Sequence, residues 1–170
     1  MDSGQFMKPR LSVKEGDDEV LSSIIKSISD IEWVDDLSGL TQPQQQIVIK
    51  KFQKKVMTRL ANEIKKPIKW QTEFRPDQTN RDSVDIYGIG DKFAVVIELD
   101  KFRADQVSKK FVSRMVILKS DPEQIYYVSL CYPGTKNMNK PECEKYFRYC
   151  SELARRMGSH YAGLIIEPAT

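Results

Sequence analysis

Histidine and cysteine are scarce in this chain. Of its 170 residues one is histidine, His160, and three are cysteine, with no Cys-x-x-Cys pair among them. Zinc sites and Ser/His or Cys/His catalytic centres need more of these side chains, and an odd cysteine count makes no disulfide framework. Long apolar runs are missing too. The longest is Phe93 to Ile97, far below the roughly 20 residues of a membrane-spanning helix. The polar start Met1-Asp2-Ser3-Gly4 does not read as a signal peptide. No repeat and no low-complexity tract occurs, and Gly88-Ile89-Gly90 reads as a turn, without the pattern of a phosphate loop. These absences predict a soluble, reduced, cytoplasmic protein with no membrane partner.

What is present is ordinary globular composition: 40% hydrophobic and 30% charged residues. The length suits one domain, or one domain with an arm, and a chain of this size buries about 68–70% of its unfolded surface without a staple. The net charge of +3 hides a division. Residues 1–40 carry four Lys/Arg against nine Asp/Glu, and residues 41–170 carry 23 against 15. A basic body drawn to polyanions therefore follows an acidic arm.

Apolar periodicity outlines the elements. Residues 1–15 show no period and read as disordered. Val20, Leu21, Ile24, Ile25 and Ile28 make one face of a short helix, with Asp17, Asp18 and Glu19 at its positive end. Trp33 and Val34 are candidates to pin the next segment, and Asp35 to Gly39 reads as a linker. A longer helix begins near Thr41, where Thr41 and Gln44 have capping-box spacing and Pro43 tolerates only an early position. Its apolar stripe is Ile49, Phe52, Val56, Leu60 and Ile64, with Lys50, Lys51, Lys54 and Lys55 on the other side. Strand-like runs follow at Lys69–Arg75, Ser83–Ile89 and Lys92–Asp100, the last two forming a hairpin. A helix from about Arg103 to Leu118, a strand Gln124–Tyr132, a helix from Pro141 stopped by Gly158, and a strand Tyr161–Ile166 complete the chain. In the helix from Pro141, Cys143, Tyr146, Phe147, Cys150, Leu153, Ala154 and Met157 are expected inward. The pattern predicts an α/β fold with a mixed sheet flanked by helices, in the order α-βββ-α-β-α-β after an N-terminal helical arm. Its division is 1–40 for the arm and 41–170 for the body.

Candidate chemistry gathers on acids. Strand alternation puts Glu98 and Asp100 side by side at the end of an apolar strand, and the hairpin brings Asp85 within a strand or two of them. Carboxylates so close repel unless a proton or a divalent cation lies between them, which makes a magnesium site of Asp85, Glu98 and Asp100. Glu63 falls on the apolar side of its helix, where it either pairs with Arg59 or serves a site. Arg103, Gln106, Lys110 and Arg114 form a row at helical spacing that either contacts phosphates or is a solvated face. Cys143 and Cys150 read as core, and His160 as structural or solvent-facing. Asp77 and Asp82 read as loop acids. Tyr126, Tyr127 and Tyr132 suit a strand, with base stacking as the alternative.

Taken together, Arg81-Asp82-Ser83-Val84-Asp85-Ile86, followed thirteen residues after Asp85 by Glu98-Leu99-Asp100-Lys101 and then Arg103-Ala104-Asp105-Gln106, resembles the PD-(D/E)XK nuclease superfamily. The resemblance covers roughly Thr41 to Tyr132. It implies a restriction-endonuclease-like core, with Asp85 and Glu98 as ligands of Mg or Mn, Glu63 as the assisting helix acid, and Gln106 as the following-helix glutamine of some branches. The motif lysine is replaced by Asp100. Three arrangements follow from that. Asp100 can bind metal in place of the lysine; Lys101, Lys110 or Lys109 can supply the cation from elsewhere; or the site is inactive. The function expected from the resemblance is metal-dependent hydrolysis of phosphodiester bonds in DNA or RNA, with Asp85, Glu98, Asp100, Lys101 and Lys110 catalytic. The alternative is a nuclease-like domain without activity that binds nucleic acid or protein, with the amphipathic arm docking a partner or forming a homodimer.

Overall fold

The computed structural model describes residues 6–33, 37, 39–76, 82–118, 122–132 and 137–168. The chain runs β1 (Met7–Glu15), α1 (Glu19–Ser29), α2 (Gln42–Glu63), β2 (Lys69–Phe74), β3 (Val84–Ile89), β4 (Phe93–Asp100), α3 (Asp105–Ile117), β5 (Gln124–Cys131), α4 (Lys140–Met157) and β6 (His160–Pro168). One six-stranded mixed sheet, ordered β1-β6-β5-β4-β3-β2, runs through the molecule. β4, β5 and β6 are parallel, while β1, β2 and β3 pair antiparallel to their neighbours.

The helix ends follow local chemistry. Asp18 caps α1, its carboxylate accepting the Val20 and Leu21 amides at 2.7 and 3.4 Å. Thr41 and Gln44 make the reciprocal capping box of α2, at 3.3 and 2.9 Å, with Pro43 in the first turn where a missing N–H costs nothing. Asn139 caps α4, and Gly158 ends it in the left-handed region at φ 70°. The parallel strands β4 and β5 are buried on both faces, as crossover helices require.

Two apolar layers cover the sheet. Val20, Leu21, Ile24 and Ile28 of α1 and Phe52, Val56 and Leu60 of α2 pack on the face presented by Val95, Ile97 and Val128. Val107, Phe111 and Met115 of α3 and Cys143, Phe147, Cys150 and Ala154 of α4 pack on the face of Val96, Tyr127 and Tyr161. Helices on both faces of a mixed sheet are what the alternation of elements predicts.

Three expectations are corrected. Residues 7–15, which lack an apolar period, are edge strand β1, held by backbone pairing to β6 with a bulge between Leu11 and Val13. Only Pro9 of β1 is buried, so neither face of the strand needs an apolar row and periodicity misses it. The N-terminal helix presents no free apolar face, since its apolar residues lie in the same core as the body and Trp33 is 2% exposed. That rules out its apolar stripe as the docking surface for a partner or second copy. Leu153 and Met157, placed inward by helical spacing, are 39% and 53% exposed. Val34, the acids Asp35 and Asp36, Asp77 and Arg81 lie outside the described residues.

Candidate functional site: an acid cluster closed on a lysine

The site forms where the β3–β4 ladder stops. Pairing runs from Ile89↔Ala94 to Ile86↔Ile97 and goes no further. Alternation also breaks there: Val84 and Tyr87 lie on the α3 side of the sheet while Ile86 lies on the α2 side. At the break, Asp85 supplies from its side chain what the ladder lacks, its Oδ2 accepting the Leu99 amide at 2.8 Å. Beyond it, Glu98 and Asp100 project toward α3, as alternation along β4 predicts.

Two cations of α3 answer these acids. Lys110 Nζ lies 2.9 Å from Asp100 Oδ1, 3.6 Å from Glu98 Oε2 and 3.9 Å from Asp85 Oδ2, and donates to the Leu99 carbonyl at 3.0 Å. Arg114 donates from Nε to Glu98 Oε1 at 2.8 Å and from its terminal nitrogens to Ser83 O at 2.9 Å and Ser113 Oγ at 3.0 Å. Asp82 stands 3.9 Å from the same guanidinium. The two cations are four residues apart, one helical turn, so a single helix face meets two successive inward positions of β4.

Burial sets the protonation balance. Glu98 is fully buried, which pushes its carboxyl well above the usual 4.5; neighbouring Asp85 adds to this, and Lys110 and Arg114 oppose it. Burial likewise raises Asp100, against the pull of Lys110. Burial disfavours the Lys110 ammonium, but Asp100, Asp85 and Glu98 together hold its pKa above the ordinary lysine value, so it stays charged. Lys101 moves the other way, lowered by burial and by the Lys110 charge.

The cluster reaches solvent on the α2 side of the sheet. A cavity of about 410 Å³ is lined there by Gln46, Lys50 and Gln53 of α2 and by Glu73, Asp85, Asp100, Lys101 and Tyr132. Asp85 thus borders both the Lys110 ammonium and the cleft, whereas the Asp100 carboxyl, only 3% exposed, is buried against Lys110 on the α3 side. Lys101, which alternation sets opposite Asp100 and so on the α2 side, lines this cleft.

The structure therefore brings together Asp85, Glu98, Asp100, Lys101 and Lys110, and leaves other candidates out. Glu63 is exposed at the far end of α2 from Lys50, thirteen residues or about 20 Å of helix away. It pairs with Arg59 at 3.1 Å, and its hydrogen bond from Ser27 is the main cause of its lowered pKa. Arg103 is exposed and bonded to Asp105 at 2.7 Å, and Gln106 is half-buried. Because Lys110 and Arg114 point inward, the row on α3 is no continuous surface for phosphates. Tyr126, Tyr127 and Tyr132 are at most 8% exposed and offer no stacking platform. Cys143 and Cys150 are core, and His160 stacks on Tyr126 with its Nε2 3.1 Å from Gln124 Oε1. The residues the sequence leaves unassigned are Gln46, Lys50 and Gln53. Their helical spacing on α2 is visible in the sequence, but which strand end they face is not.

The donors suit a hard divalent cation in kind: three carboxylates and the Leu99 carbonyl, all oxygen, with Glu98 Oε2 and Asp100 Oδ2 buried and accepting no hydrogen bond. Their focus is the Lys110 ammonium. Among the described residues no group of three or more acidic, histidine or cysteine side chains is arranged to hold a metal by itself. No described helix is long and apolar enough to cross a membrane. No protein-family model, no curated protein and no solved structure matches the chain.

Proposed function

We propose that the chain is a phosphodiester hydrolase of the PD-(D/E)XK type, with a restriction-endonuclease-like core, acting on DNA or RNA with Mg or Mn. The observation that carries this reading is the convergence of Asp85, Glu98 and Asp100 on Lys110 beside an open, lysine-lined cleft. Asp85, Glu98 and Asp100 are the residues that would hold the metal, with the Lys110 ammonium withdrawn from the focus it now occupies among them. Bound there, it supplies a water of lowered pKa and polarises the phosphoryl group.

The remaining roles belong to the chain itself. Lys110 takes the part of the missing motif lysine from α3. Its raised pKa makes it a fixed positive charge, suited to steadying negative charge on a transferring phosphoryl oxygen and unsuited to removing a proton. Lys101 and Lys50 line the cleft on either side and orient the phosphate. Arg114 holds Glu98 from behind and acts only through it.

A second reading rests on the same ion pairs. With Lys110 and Arg114 already answering the three acids, the domain would bind nucleic acid or protein without cleaving. Titration with manganese, followed by calorimetry and by cleavage of labelled oligonucleotides, separates the two. Hydrolysis predicts manganese binding in the wild type that is lost in Glu98→Gln and Asp85→Ala, with cleavage falling by at least about a hundredfold in both. Wild-type protein that neither binds manganese nor cleaves would leave only the binding module.

A further inference from the structure

Of the row Arg103, Gln106, Lys110 and Arg114, the two cations on α3, Lys110 and Arg114, are turned inward, and the exposed Arg103 is paired with Asp105, so the phosphate backbone of a bound strand must find its cations elsewhere. Helix α2 carries Lys50, Lys51, Lys54, Lys55 and Arg59 against the single acid Glu63. Two of these cations are engaged within the fold: Arg59 pairs with Glu63 at 3.1 Å, and Lys55 donates to the Glu32 carbonyl at 2.9 Å. Lys50, Lys51 and Lys54 are exposed and have no acid within ion-pair distance among the described residues.

From these observations we infer that α2 is the strand-binding helix, with Lys50, Lys54 and Lys101 gripping successive phosphates of a nucleic-acid strand that enters the cleft. The inference rests on the nucleic-acid part of the proposed function and assigns the residues that hold the polymer.

Placement supports it. Lys50 lines the cleft with Asp85 and Asp100, and Lys101 lines it from the end of β4. Lys54 follows Lys50 by one helical turn, about 6 Å along the axis on the same side of α2. The row therefore begins at the acid cluster and leads away from it. Around the cleft and cluster the acids Glu73, Asp82, Asp85, Glu98 and Asp100 meet the cations Lys50, Lys101, Lys110 and Arg114, so the positive charge left over for a polyanion lies on the exposed lysines of α2. Lysines without acid partners on one wall of a cleft concentrate a polyanion there. Gln46 and Gln53 on the same wall add uncharged donors beside Lys50. On the other side of the sheet, Arg148 and Arg156 of α4 are exposed but border no acid cluster.

Fluorescence anisotropy on the full chain, in EDTA to prevent cleavage, tests this. The probes are one labelled sequence as single-stranded DNA, single-stranded RNA and duplex DNA, each titrated between about 50 and 200 mM salt. The variants are Lys50→Gln/Lys54→Gln and, as a control of equal charge, Arg148→Gln/Arg156→Gln; circular dichroism verifies that both fold. The α2 variant is expected to bind about tenfold more weakly. Its plot of log affinity against log salt should be shallower by about 1.4 on single strands, since two phosphate contacts are lost. The α4 variant should match the wild type, and the relative affinities of the three probes identify the polymer. Salt-dependent wild-type binding that the α2 changes leave untouched overturns the assignment of α2 and spares the proposed function. A wild type with no affinity for any of the probes overturns the nucleic-acid reading and this inference with it. Manganese binding to the acid cluster is measured separately, so loss of the cluster's chemistry cannot be mistaken for loss of the α2 row.

Discussion

Arg114 divides its guanidinium among Glu98 Oε1, the Ser83 carbonyl and Ser113 Oγ, at 2.8, 2.9 and 3.0 Å. It ties the entry to β3 to a buried acid of β4. Removing one partner of a buried pair leaves an uncompensated charge, so Arg114→Gln should cost about 3–5 kcal/mol near neutral pH. The sign of its pH dependence follows from Glu98. Burial already raises that carboxyl above its usual 4.5, and Arg114 opposes the rise. Without Arg114 the folded-state pKa climbs further. A folded protein that binds the proton more tightly than the unfolded chain gains stability below 4.5 and loses it as pH rises through the folded-state value. Urea denaturation should therefore find the Arg114→Gln deficit smaller near pH 4.5 than at neutrality. An equal deficit at both would mean that Glu98 does not take up the proton.

Helix α4 lies on the sheet at a glycine. Gly163 of β6 stands opposite Ser129 of β5, and a Cβ there would collide with the Phe147 ring. Phe147 is fully buried and has Tyr161 beside it, so its ring has no free direction. Gly163→Ala is expected to overpack this contact at a cost of about 1–3 kcal/mol, read as a lowered melting temperature. Combining it with Phe147→Leu should recover part of the loss, because the smaller side chain makes room for the methyl group. The hairpin loop shows a different economy: Lys92 adopts φ 64°, a left-handed site that glycine fills more easily. Gly90, two residues earlier, instead makes room for the Phe93 ring.

At the scale of the whole molecule, arm and body form one unit. β1 extends the sheet, and α1 shares its core with α2 and the central strands. The acidic stretch at the N-terminus is therefore part of the folded domain in its described portion. Ile24 is completely buried in that core. Ile24→Ala should cost about 2–5 kcal/mol and shift a single cooperative unfolding transition of the full chain, monitored by circular dichroism. A separate early transition for α1, with the remainder unchanged, would show that the arm folds apart from the body. The free edge of β1 is protected against adding another strand by Pro9, by lysines at positions 8 and 14 and by its bulge.

Much of this was decided locally. Caps at Asp18, Thr41 and Asn139, the stop at Gly158, and the periods of α2, β4 and β5 depend on neighbours a few residues apart, so the sequence by itself determined the elements from Thr41 onward and the mixed α/β arrangement. It also determined that Glu98 and Asp100 share a face, since alternation along one strand needs no partner. β1 escaped because its order comes from pairing with β6, at the other end of the chain. The site was legible only in its acids. Which of Lys101, Lys109 and Lys110 answers them depends on how α3 crosses back over β4, a matter of packing between elements. Only the tertiary structure decided that Lys110 and Arg114 turn inward, that Glu63 lies a helix length away, and that Lys50 faces the cleft. Charges separated along the chain acquire an effect on one another only when the fold fixes the distance between them and removes the water.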